Sequence, residues 1–237
     1  MSNSALAFYL DGPLQAWGAS SKFQHRETES FPTKSGIIGL IAAAMGIDKH
    51  AADEADRLRP LAALNQSVLR LDNSSGATIV RLSDFHTIGG GYDRSHPVEK
   101  LHIARTADGK VCANAVITHR TYLMDAKFLV VLEGDGAVLQ GCASALEDPK
   151  WGVWFGRKCC LPAAPLTPVL APTASEALRL LAEKLGIGDF TAARCVGQKE
   201  QASDGTWYQP DQPVSFGRRE FQSRPVARIL AAPSSSG

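Results

Sequence analysis

The sequence predicts an α+β fold: an RRM-like or ferredoxin-like core, a hairpin insertion protruding from it, and a small C-terminal subdomain. Three observations predict it. Apolar runs and periodic stretches follow in the order strand, helix, strands, strand, helix, which is that of a ferredoxin-like unit. Between His86 and Thr118 this patterning dissolves into Gly89-Gly90-Gly91, scattered His and Arg, and Asp108-Gly109, the text of an excursion from a core. An amphipathic helix at Ser175–Leu185 then opens a basic, turn-rich final segment. The expected division is 1–85 with 119–170 for the core, 86–118 for the insertion, 171–230 for the C-terminal subdomain and 231–237 for a disordered tail.

Each element has a local reason. Ala5–Leu10 (ALAFYL) is short, apolar and closed by Asp11-Gly12-Pro13, so it reads as a buried first strand. A polar loop from Gln15 to Pro32 carries Lys22, His25 and Arg26. Thr33-Lys34-Ser35-Gly36 leads into IIGLIAAAMG, a small-residue helix that stops at Gly46. Thr33 or Ser35 can cap it, presenting backbone N–H groups and Lys34 at its start. His50–Leu64 reads as a second helix with acids in its first turns. Ser67–Leu71 and Ala77–Phe85 alternate as strands, joined by a turn at Asn73-Ser74-Ser75-Gly76. Thr121–Leu132 (TYLMDAKFLVVL) is a strong strand, Ala137–Leu146 a short helix, and Trp151–Cys160 follows. In Ser175–Leu185 the residues Ala177, Leu178, Leu181 and Leu185 share one helix face.

Composition excludes several classes. With 25 basic against 24 acidic residues, a polyanion site must be a local patch and not the whole surface. Positive charge concentrates in Lys150–Gly237, with 11 basic and 7 acidic residues, and in Arg81–Arg120, with 6 and 4. No apolar run reaches the roughly 18–20 residues that a membrane span needs. The start, MSNSALAFYLDG, lacks the basic region of a secretory signal, and a cytoplasmic location is expected. Five cysteines without a CxxC pair argue against a disulfide framework and against structural zinc, and fit a reducing compartment.

The motifs divide into those that fail and those that hold. Thr33-Lys34-Ser35-Gly36 lacks the glycines of a P-loop, and Gly89-Gly90-Gly91 lacks the strand–loop–helix context of a dinucleotide fingerprint. His96 and His102 with Asp93 and Glu99 match no zinc spacing, so no metal and no cofactor is expected. Arginines and lysines in loops or at element ends, near Gly, Pro or Ser, are better prospects. Arg26, Lys34, Arg105, Arg120, Arg157, Lys158, Arg218, Arg219 and Arg224 all sit in such places. Guanidinium groups there fork onto phosphates. Trp17 and Tyr122 have the ring chemistry to stack bases, although Trp17 reads equally well as a hydrophobic plug over the first helix.

Five ordered blocks carry a resemblance. They are Leu10-Asp11-Gly12-Pro13-Leu14-Gln15-Ala16-Trp17-Gly18; Phe31-Pro32-Thr33-Lys34-Ser35-Gly36-Ile37-Ile38-Gly39-Leu40; Leu82-Ser83-Asp84-Phe85-His86-Thr87; Arg120-Thr121-Tyr122-Leu123-Met124-Asp125-Ala126-Lys127-Phe128; and Phe155-Gly156-Arg157-Lys158-Cys159-Cys160-Leu161-Pro162. Together they resemble the CRISPR-associated Cascade subunit CasD family. The resemblance implies a RAMP fold whose insertion, 86–118, is a protruding thumb hairpin. It also implies a non-catalytic, type I-E subunit that caps the foot of the complex and holds the 5′ repeat-derived handle of the CRISPR RNA. The partners implied are the Cascade backbone subunit and the large PAM-recognising subunit, target sequence being read by guide pairing. By motif correspondence Arg120 matches an arginine after the thumb, Lys34 with Ser35 the basic helix entry, and Arg26 the arginine of the first loop. Gln15, Trp17, Arg157 and Lys158 complete the expected handle contacts, with His102 and Arg105 as candidates within the thumb.

The rival class is an enzyme, because similar proteins of a related CRISPR subtype process repeat RNA themselves. Metal-free cleavage needs a base, an acid and a cation at the phosphorane. His119, Tyr122 and Lys127, or His86 and Lys100, could supply such a set.

Overall fold

The apolar run at Ala5–Leu10 is the centre of a longer strand, β1 (Asn3–Gln15), whose alternate residues bury on opposite faces of a sheet. In this computed structural model the described residues are 3–19, 24–71, 79–103, 105, 108–110, 115–187, 195–201 and 206–229. Leu6, Phe8 and Leu10 enter one core cluster; Ala5, Ala7 and Tyr9 enter a second. Period-two alternation with both sets apolar makes a strand covered on both sides.

The chain continues through β2 (His25–Arg26), α1 (Lys34–Ala44), α2 (Glu54–Ala62), β3 (Asn65–Leu71) and β4 (Val80–Ile88). After a short 3₁₀ turn at Glu99–His102 come β5 (Val116–Asp135), α3 (Gly136–Glu147), β6 (Val169–Ala171) and α4 (Ala174–Leu185). The last strands are β7 (Cys195–Glu200), β8 (Trp207–Ser215) and β9 (Glu220–Ile229). All strands belong to one sheet with the order β6-β1-β5-β3-β7-β9-β8, and β2 and β4 flank the outer half of β5. Apart from the parallel β2–β5 bridge, the pairings of β1–β9 among the described residues are antiparallel.

Helix α1 is capped by Thr33, whose hydroxyl accepts from Gly36 N–H at 3.2 Å, and ends at Gly46 with φ 65°. Its Ile37, Ile38 and Ile41 pack with α3's Leu139 and Cys142 over Phe8, Phe128 and Val130. On the opposite face Ala177 and Leu181 of α4 cover Ala7, Leu129 and Val131.

Two readings change. The segment after α4 is not mainly turns: β7 pairs with β3, β9 with β7 and β8 with β9, so these strands extend the core sheet itself. The strand expected from Ala77 runs as Val80–Ile88, and it pairs with β5 from Val80↔Met124 to Ile88↔Val116 as the two arms of a long hairpin. The predicted turn at Asn73–Gly76, the tail 231–237 and several positions of the insertion lie outside the described residues.

Candidate nucleic-acid interface

Strand β5 is 20 residues long, and its first half runs beyond the helix-covered core. There it carries β4 on one side and the two-residue β2 on the other. Register places His25 opposite His119 and Arg26 opposite Arg120; on the other flank Phe85 faces His119 and Asp84 faces Arg120. Alternation then sorts this ribbon into two faces: Arg26, Arg120 and Asp84 on one, His25, His119 and Phe85 on the other.

The arginine face is the electrostatic feature of the site. Like charges placed directly across a pair of strands repel, and Asp84 is the single carboxylate in register with the two arginines. Arg26 is exposed, and among the described residues no hydrogen bond or ion pair occupies its guanidinium. Arg120 donates from Nε to the Thr118 hydroxyl at 3.1 Å. Arg157 braces the pair: it donates to the carbonyl of Thr121 at 2.9 Å and that of Arg26 at 2.7 Å, and lies 4.5 Å over the Tyr122 ring. Burial pushes the Tyr122 hydroxyl above its ordinary pKa. The preceding glycine makes this placement possible, since Gly156 has φ 89° and a Cβ there would collide with the Ala16 carbonyl. Lys158 is exposed, with its ammonium 5.7 Å from the Trp154 ring.

Beside this cluster opens a cleft of about 310 Å³ lined by Trp17, Arg26, Ser35, Gly36, Arg157 and Phe216. All five sequence blocks therefore converge on one region: the first through Trp17, the second through Ser35, the fourth through Arg120 and the fifth through Arg157. The third supplies Asp84. Sequence reasoning missed Phe216 and Phe221 of the cleft wall; the adjacent Gly217-Arg218-Arg219 was its only local signal.

Three predicted contacts need correction because the chain buries them. Gln15 is wholly enclosed, donating to the Ala126 carbonyl at 2.6 Å and accepting from the Trp17 indole at 3.0 Å. Trp17 is the hydrophobic plug, 1% exposed, packed so closely that a Cβ on Gly36 would meet its ring at 2.7 Å. Lys34 is also 1% exposed, and its ammonium is held by Glu200 at 2.8 and 3.0 Å and by Gln212 at 3.4 Å. Burial lowers its pKa against the opposing pull of Glu200. Its backbone N–H donates to Asp211, so a carboxylate of the chain itself occupies the start of α1. Ser35 remains half-buried at the cleft. His102, 5.5 Å from the Tyr92 ring, and Arg105, which donates to the Gly109 carbonyl at 3.1 Å, are both exposed within the insertion.

The first set weighed for cleavage, His119, Tyr122 and Lys127, is not assembled. His119 and Tyr122 are three positions apart on one strand and point to opposite faces, as do His86 and His119 across β4 and β5. Lys127 pairs with Asp11 at 3.4 Å. No group of three or more His, Cys, Asp or Glu residues suited to a metal occurs among the described residues.

This architecture is shared with CRISPR-associated proteins. A structure described as "CRISPR RNA-guided surveillance complex" contains a chain that superposes with a TM-score of 0.69 at 26% identity, covering 98% of this chain and 95% of that one. One described as "Crystal structure of Cas protein" gives 0.64 at 27% identity, covering 96% and 94%. The family model for CRISPR-associated protein (Cas_Cas5) matches residues 5–227, and the chain belongs to that family. The "CRISPR system Cascade subunit CasD" of Escherichia coli (strain K12) is 30% identical over 164 residues, which is 66% of this chain and 66% of the relative, just under two thirds of its length.

Proposed function

We propose that this chain is a non-catalytic subunit of a type I-E Cascade surveillance complex. It binds the 5′ repeat-derived handle of the CRISPR RNA and caps the backbone, next to the backbone subunit and the large PAM-recognising subunit. The carrying observation is the Arg26–Arg120 pair in register, braced by Arg157 at the mouth of a cleft. Two arginines in register on one face gain most from a shared polyanion, and guanidinium forks suit the phosphates of a bent single strand. Likeness to a chain of an RNA-guided surveillance complex supports the same reading.

The run β1-α1-β3-β5-α3-β6, spatially ordered β6-β1-β5-β3, supports a ferredoxin-like core, and the β4–β5 hairpin supports a thumb at 86–118. On this reading α4 and β7–β9 form the C-terminal unit, and the protein works in the cytoplasm. No helix among the described residues is long and apolar enough to cross a membrane.

Purified chain in EDTA with end-labelled handle RNA, run on native and denaturing gels together, tests the proposal. A shift of intact RNA that a scrambled handle does not give is the expected result. Cleaved RNA would replace the binding subunit with the nuclease reading and make His119 and His86 the first residues to change.

A further inference from the structure

The second face of the β2–β5–β4 ribbon is used by nothing described so far. His25 and His119 stack there with ring centroids 5.2 Å apart and planes 10° from parallel, and Phe85 meets His119 edge-on at 5.3 Å. All three are exposed, Phe85 at 62%. An exposed Phe on a strand gains little from the fold, whose core clusters do not include it. The platform also alternates, residue by residue, with the arginine face: His25 precedes Arg26 and His119 precedes Arg120.

We infer that Phe85, His119 and His25 form a stacking platform for unpaired bases of a single-stranded RNA whose phosphates are held by Arg26 and Arg120 on the reverse of the same ribbon. The inference rests on the RNA-binding reading above and adds a base-contacting site to it. Stacking on rings is how single-stranded RNA is gripped when its bases are splayed from the backbone. The occupant follows from continuity with the arginines. Because β2 is only two residues long, a single strand that passes over its edge can turn its phosphates to one face and its bases to the other. Glu27 beside this face accepts from the Thr121 hydroxyl at 3.0 Å.

The test uses the full-length chain and handle RNA in which single positions are made abasic, read by fluorescence anisotropy. Wild type should lose about tenfold in affinity at one or two abasic positions, as expected for stacked bases. The double variant Phe85→Ala/His119→Ala should bind intact RNA about tenfold more weakly and be indifferent to those same positions. Phe85→Ala alone removes no charge and should leave the salt slope unchanged. His119→Phe, which keeps a ring, should retain affinity; because all three side chains are exposed, melting temperatures should not move. Wild-type binding with unaltered binding by both alanine variants would overturn the platform and leave the RNA reading standing. Failure of wild type to bind the RNA would overturn both. Normal RNA affinity with lost assembly into a complex would assign this face to a protein partner and overturn the inference.

Discussion

Removing the Glu200 carboxylate is the sharpest way to ask what Lys34 does. Lys34 and Arg224, at 1% and 3% exposure, face Glu200 and Asp211 in a cluster with two charges of each sign. Arg224 keeps a bidentate bond to Asp211 at 2.7 and 3.0 Å without Glu200. Lys34 would keep Gln212 at 3.4 Å and, at position 200, an uncharged amide oxygen in place of the carboxylate. Glu200→Gln therefore leaves two buried cations sharing the one carboxylate of Asp211, which costs about 3–5 kcal/mol of stability. At about 2–4 °C per kcal/mol for a chain of this size, melting should fall by roughly 6–20 °C. Lys34→Met should cost less, about 1–3 kcal/mol, because Glu200 still lies 3.8 Å from Arg224 and still accepts from Gln66 N–H. Urea denaturation gives both numbers, and handle-RNA affinity measured on the folded variants should match wild type. Unchanged stability with weakened RNA binding in Lys34→Met would refute the reasoning and return Lys34 to the ligand.

Other outcomes follow from packing and titration. Gly36→Ala should destabilise by about 1–3 kcal/mol through overpacking against Trp17, and Trp17→Phe should relieve part of that cost in the double variant, both read by urea denaturation. Thr173 caps α4 by accepting from Glu176 N–H at 3.2 Å, so Thr173→Ala should cost about 1 kcal/mol in the same assay. Burial pushes the Cys142 and Cys160 thiols up to about 12. A raised folded-state pKa contributes stability that is present below the ordinary value near 9 and lost as pH climbs through about 12. Native-state alkylation at pH 8 followed by mass spectrometry should accordingly modify exposed Cys159 and spare Cys142 and Cys160 until denaturant is added.

What the sequence made legible, and what it hid, follows from range. Local signals placed α1, α3 and α4 within a few residues, because Thr33, Asp135 and Thr173 cap them and Gly46 and Gly186 end the first and last of these. The last two strands were hidden by prolines. Pro210 and Pro213 break the reading of β8 as a strand, yet β8 is the edge of the sheet, where a missing N–H costs no ladder bond. Lys34 misled for a different reason. Its spacing beside Ser35 and Gly36 is that of an exposed helix entry, while its partners Glu200 and Asp211 lie 166 and 177 residues away. Gln15 shares that history, since the Ala126 carbonyl it donates to lies 111 residues away, whereas for Trp17 the plug was one of the two readings its sequence context offered. Arg26, Arg120 and Arg157 were legible as cations at element ends, but their convergence needed the parallel β2–β5 bridge, a pairing of two residues.

The most direct test of the account is the salt dependence of handle-RNA binding by wild type, Arg26→Ala and Arg120→Ala. Each arginine that neutralises a phosphate should lower the magnitude of the log–log slope by about 0.7–1, with affinity falling for every sequence that carries the handle. Slopes indistinguishable from wild type in both variants would contradict it, because the paired arginines would then hold no phosphate.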